Sequence, residues 1–163
     1  MTRAPGLASI KSGAAVRPGR LEPLTAAPIF GLATRLLDVR MMKRANALFA
    51  RLGLTPASAA ALLLIEANPG ARHGELARAL AIQPPNMTKL LNQMIGEELL
   101  RREEAPADRR HATFALSPRG RRAAGKARAA MEALDSEVLS PLTADERATL
   151  IDLTTKLARA LAD

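Results

Sequence analysis

The sequence predicts a mainly α-helical protein with one small antiparallel hairpin, and three observations predict it. The 163 residues are 48% hydrophobic but only 2% aromatic, with neither Trp nor Tyr. Ala and Leu must therefore fill the core, a composition that favours helices over sheets. Apolar residues also recur at helical spacing along most of the chain. The exception is APADRRHATFALSPRG, residues 105–120, where Ala112, Phe114 and Leu116 alternate with other residues after a Pro-containing break, as a half-buried strand does. One core of ordinary size is expected at this length.

The first 27 residues carry Pro5, Gly6, Gly13, Pro18 and Gly19 with no sustained apolar period, and read as a disordered basic arm. An organelle transit peptide is the alternative reading, but these breaks interrupt the amphipathic helix it would need. From residue 28 onward a single domain is expected. Ile29, Leu32, Ala33, Leu36, Leu37, Leu48 and Phe49 recur at helical spacing and predict a first long helix. A second helix is punctuated at both ends, by Thr55 and Pro56 at its start and by Asn68-Pro69-Gly70 at its finish.

A short helix at Gly74–Leu80 and a turn of about four residues lead to a further helix from Pro84 to about Leu99. One face of this helix holds Met87, Leu90, Leu91, Met94 and Ile95. The other holds Pro85, Asn86, Thr88, Lys89 and Asn92. Two helices across a tight turn, the second with a polar face at its start, match the helix-turn-helix arrangement. The hairpin follows, and a hairpin after a recognition helix is a wing. Ser117 and Pro118 then open a helix with a stripe of Ala127, Ala130, Met131, Leu134 and Val138. A last helix begins at Thr143, with Glu146 completing a capping box and Leu150, Leu153, Leu157 and Leu161 as its stripe. The first helix and these last two present more apolar face than a small winged domain covers, so a second copy of the chain is expected against them.

Charge points to a polyanionic partner. The formal net charge is +8, and residues 117–130 carry five basic groups and no acid. The absence of cysteine excludes disulfides, thiolate catalysis and Cys-ligated metal. His73 and His111 stand on different elements without an acidic cluster, so no metal and no cofactor are expected. No apolar run approaches the roughly 20 residues a membrane helix needs, and a soluble, cytoplasmic protein is expected. No catalytic constellation stands out, and the chain reads as a non-enzyme.

The motifs ELARALAIQPPNMTKLLNQMI and DRRHATFALSPRG, in this order, resemble the MarR family of bacterial transcriptional regulators from about Phe30 to Ala162. In the second motif Asp108, Arg110, Leu116, Ser117 and Gly120 match the family's wing signature. The resemblance implies a winged helix-turn-helix head at residues 54–116 and a helical dimerisation region formed by residues 28–53 and 117–163. It implies a homodimer that binds double-stranded operator DNA, as a repressor or dual regulator. Pro85, Asn86, Thr88, Lys89 and Asn92 would enter the major groove, where Asn86 pairs with adenine and Pro85 or Thr88 touches a thymine methyl. Arg110 would enter the minor groove with Asp108 holding its guanidinium, and Arg109 would meet phosphate. Arg72, His73, Arg78 and the 119–128 basic run are further candidates for phosphate contact.

Family members frequently bind a small aromatic or anionic effector, and Arg35, Arg40, Met41 and Met42 are the candidates to line its crevice. Two positions depart from the family pattern. Glu98 stands where Gly usually closes the recognition helix, with Gly96 two residues earlier, and Gln83 stands where Ser or Thr usually caps it. The helix end is therefore expected to shift. A protein-interaction scaffold and an RNA binder are the competing readings; the lack of stacking aromatics argues against the second.

Overall fold

The computed structural model describes residues 29–104 and 112–161, and the proposed arm at 1–27 lies outside them. The described residues fall into two compact units, one ending at Arg40 and the other beginning at Met41. Helix α1, Phe30–Ala50, runs through that boundary. In its first unit Ile29, Phe30, Leu32, Leu36, Leu37 and Val39 are all exposed.

The second unit holds the core. Ala45 and Phe49 end α1 facing inward, and the chain turns at Gly53, whose φ of 69° is a left-handed conformation that glycine adopts without strain. Helix α2, Pro56–Ala67, opens as its sequence dictates: the Thr55 hydroxyl accepts from the Ser58 N–H, the Ser58 hydroxyl accepts from the Thr55 N–H, and Pro56 occupies the first turn. Ala59, Ala61 and Leu62 are fully buried on α2, and Ala124 and Ala127 are fully buried on helix α5, Pro118–Val138. Small side chains let these two backbones approach closely. Arg128 on α5 also pairs with Glu66 on α2, and Glu137 near the end of α5 accepts from Arg44 at 3.2 Å.

Helices α3, His73–Ala79, and α4, Pro84–Gly96, flank the turn at Leu80–Gln83. Strands β1, Leu100–Glu104, and β2, Ala112–Leu116, pair antiparallel in a register from Leu100↔Leu116 to Glu104↔Ala112. Phe114 and Leu116 on β2 are buried as the alternation predicts, but Ala112 is only partly buried and Thr113, expected to face out, is buried where it bridges to Arg72. The mainly helical class with one small β-wing is the observed fold.

The expected shift at the end of α4 does not take the form its glycine suggested. The helix stops at Gly96, Glu97 is the cap, and Glu98 itself adopts the left-handed conformation at φ 57°. A residue with a Cβ holds this conformation at a penalty of roughly 1–2 kcal/mol. It persists because the next residues are fixed: the Leu99 N–H donates to the Met94 carbonyl at 2.9 Å, and the Leu99 carbonyl accepts from the Ser117 N–H at 3.0 Å. The Ser117 hydroxyl donates to the Glu98 carbonyl at 2.5 Å and accepts from the Gly120 N–H at 2.9 Å. A Cβ on Gly120 would lie 1.9 Å from the Leu99 carbonyl oxygen, closer than any atom fits.

Helix α6, Ala144–Ala160, carries the predicted capping box, with the Thr143 N–H donating to Glu146 Oε2 at 2.8 Å. None of its residues is buried, and Ile151, Leu153 and Leu157 are exposed. The Thr143 backbone N–H, and after it the Thr143 hydroxyl, hold the Glu146 carboxyl below its ordinary value of 4.5.

Gly120→Ala lowers thermal stability by about 2 kcal/mol or more through overpacking against backbone, while Glu98→Gly raises it by about 1 kcal/mol by relieving the left-handed strain; paired denaturant titrations read both. Because the Glu146 pKa is depressed in the folded state, its contribution is present above pH 4.5 and is lost as pH falls through the lower folded value. Far-UV circular dichroism across that window detects the loss, and Thr143→Ala removes it.

Candidate nucleic-acid interface

The α3–α4 turn sets the direction of α4. Ala81 takes φ 51°, its N–H donates to the Arg78 carbonyl, and the Ile82 N–H reaches back to the Ala77 carbonyl at 2.9 Å. Gln83 caps α4 without a side-chain hydrogen bond, as its residue type predicts. Met87, Leu91 and Met94 then fasten α4 to the core. Pro85, Asn86, Thr88, Lys89 and Asn92 are all exposed. At 100° per residue, Pro85, Thr88, Lys89 and Asn92 fall within an arc of about 100°, and Asn86 lies about 60° beyond Lys89. The five residues read from the sequence thus share the surface of α4 opposite its buried side.

Thr88 and Asn92 also line a groove of about 400 Å³ between α4, the start of α3 and the wing. Leu91, Ile95 and Phe114 supply its apolar walls, and Arg72, His73 and Arg102 supply basic groups. Backbone contacts hold these elements together: Arg72 forms an isolated antiparallel bridge with Thr113, and the Phe114 N–H donates to the Ala71 carbonyl at 3.3 Å. The Arg72 N–H donates to Glu75 Oε2 at 2.7 Å. Nε2 of His73 lies 3.0 Å from the Thr88 hydroxyl, which also lies 3.1 Å from the Pro84 carbonyl. Arg102 was not singled out from the sequence; the strand register, which sets it opposite Phe114, is the signal that would have found it.

The basic run of α5 divides by partner. Arg121 donates to the Leu116 carbonyl and Arg128 is paired with Glu66. Arg119, Arg122 and Lys126 line a separate cavity of about 420 Å³ with Leu52, Leu54 and Leu99. The acids near the wing are partly answered: Glu98 lies 3.7 Å from Arg119 and Glu103 lies 3.6 Å from Arg101. Such exposed pairs hold little energy but cancel local charge. Asp108, Arg109 and Arg110, expected at the wing tip, lie outside the described residues. Arg35 is exposed and lies 3.3 Å from Asp38, Arg40 and Met42 are exposed, and Met41 is partly buried. None of these four lines either cavity.

A family model described as the MarR family matches residues 52–111. Over 102 residues the chain is 30% identical to the HTH-type transcriptional repressor Mb2911 of Mycobacterium bovis, covering 63% of this chain and 73% of that protein. The chain belongs to the MarR family. It is also similar to a Thauera aromatica protein named as a transcriptional regulatory protein for the hcr operon, at 32% identity over 107 residues. That match spans 66% of this chain and 64% of the relative, just under two thirds of its length. Among solved structures, the transcriptional repressor CouR bound to a 23-mer DNA duplex aligns with a TM-score of 0.77 and 27% identity, over 85% of this chain and 99% of that one.

Membership in the MarR family gives the wing signature a physical meaning in this chain. Ser117 caps α5 and ties it to the end of α4, and Gly120 lets the Leu99 backbone pass. Leu116 closes the strand into the core. The carboxyl-terminal half of the signature is therefore architectural. Among the described residues of this MarR-family protein, no group of three or more His, Cys, Asp or Glu side chains is placed to hold a metal ion, and no helix is long and apolar enough to cross a membrane.

Proposed function

We propose that this MarR-family regulator is a sequence-specific, double-stranded-DNA-binding repressor, acting in the cytoplasm as a homodimer and not as an enzyme. The observation that carries the proposal is the exposed polar arc of α4, set on a side opposite Met87, Leu91 and Met94, in a head similar to one solved on a DNA duplex. A helix of this kind reads base edges through its first turns, where Asn86 offers a bidentate partner to adenine and Lys89 reaches guanine or phosphate. Pro85 and Thr88 offer apolar contact to thymine, and Asn92 extends the polar surface.

Arg110, steadied by Asp108, enters the minor groove, and Arg109 meets phosphate. Arg72 and Arg102, which line the groove beside α4, add positive charge next to this surface. The apolar faces of α6 and of the first turns of α1 are exposed, and a second copy of the chain is the partner that covers them. Control by a small aromatic or anionic effector at Arg35, Arg40, Met41 and Met42 belongs to the proposal on the family resemblance alone.

Selection from a random duplex pool followed by gel shift tests the proposal, with sequence-specific retardation as the expected result. Failure of specific retardation at high protein excess supports the scaffold reading instead. Asn86→Ala and Lys89→Ala each weaken binding by about 1–3 kcal/mol. Arg110→Ala weakens it by more than about tenfold, the loss of one charge-assisted contact, while sedimentation still reports a dimer. Affinity falls linearly with salt on a logarithmic plot, at a slope of about 0.9 per phosphate neutralised. A flat salt response overturns the reading.

A further inference from the structure

We infer that His73 turns Thr88 into a reader of the thymine methyl group, by occupying the threonine hydroxyl from the protein side. The inference rests on the proposal that α4 enters the major groove. A threonine offers a ligand two different γ substituents, a hydroxyl and a methyl. In this chain the Thr88 hydroxyl is held by two protein atoms, the Pro84 carbonyl oxygen at 3.1 Å and His73 Nε2 at 3.0 Å.

The hydroxyl has one proton and two lone pairs. If it donates to Pro84, His73 donates its Nε2–H to the oxygen; if His73 carries its proton on Nδ1, the hydroxyl donates to Nε2. In both tautomers the single proton goes to a protein atom. Thr88 is nevertheless exposed. Its proton is therefore withheld from base acceptors, and while the oxygen can still accept, the group Thr88 presents unencumbered is its methyl, whose partner in a major groove is the C5-methyl of thymine.

The placement of His73 supports a directing role. It is the first residue of α3, its position fixed by the Arg72–Thr113 bridge and by the bond from the Arg72 N–H to Glu75. His73 is partly buried, Thr88 is exposed, and both line the groove between α4, the start of α3 and the wing. The contact joins two helices across 15 residues of sequence. His73 is accordingly a positioning residue that acts through Thr88, and base preference at one position of each half-site depends on it.

The test uses a duplex selected by the wild-type protein, with each thymine replaced singly by deoxyuracil, which removes only the C5-methyl. Wild type is expected to show one thymine per half-site whose replacement weakens binding about fourfold, the value of one buried methyl of about 0.8 kcal/mol at 1.4 kcal/mol per tenfold. Thr88→Val, which keeps the methyl and loses the hydroxyl, retains this discrimination, and Thr88→Ser, which does the reverse, abolishes it. His73→Ala reduces the discrimination below twofold, and His73→Gln, whose amide presents a donor and an acceptor in place of the ring nitrogens, restores it. A flat deoxyuracil series, or Thr88→Ser behaving as wild type while Thr88→Val does not, overturns the inference. If Asn86→Ala and Lys89→Ala still weaken binding in that case, the role of α4 stands and only the part assigned to His73 falls; if they too have no effect, the reading of α4 itself fails.

Discussion

The close passage of Gly120 beneath the Leu99 carbonyl is the constraint on which the rest of the head depends. At that point the end of α4, the first residue leading into the wing and the first turn of α5 share one small volume. The Ser117 hydroxyl bonds in two directions, to the Glu98 carbonyl and to the Gly120 N–H. Each bond alone contributes on the order of 1 kcal/mol. Together they fix the direction in which α4 leaves the core and the plane in which the hairpin begins.

Around that junction the core is assembled from small side chains. Ala59 and Ala61 on α2 and Ala124 and Ala127 on α5 are fully buried, and Phe49, Leu62, Met87, Leu91 and Met94 fill the remaining space. A core so poor in aromatics must gain its contacts through short distances between backbones, because little side-chain volume is available to bridge wider gaps. The polar side chains of α4 are thus carried on a helix whose opposite face is anchored by Met87, Leu91 and Met94.

Much of this was legible in the chain. Thr55, Ser117 and Thr143 announce helix starts because a hydroxyl at that position satisfies free backbone amides, a local effect that needs no tertiary partner. The apolar stripe of α4 was equally local, whereas the burial of Thr113 on β2 came from its bridge to Arg72. The polar residues of α4 were legible as a set, because their helical spacing alone puts them opposite Met87, Leu91 and Met94. The left-handed Ala81 and Glu98 were not announced by their residue types, since the surrounding packing imposes a conformation that neither residue favours. Nor was the contact between His73 and Thr88, whose partners belong to different helices. The division of the α5 basic run followed from partners such as Glu66, 62 residues away from Arg128, which no local pattern encodes.

Helix α6 has 17 residues, a well-formed cap and no buried side chain. Standing in water without tertiary support, a helix of this length hovers near the midpoint between coil and helix. Among the described residues nothing buries its apolar face; in the proposed homodimer a second copy covers it, and the order of this segment then follows protein concentration.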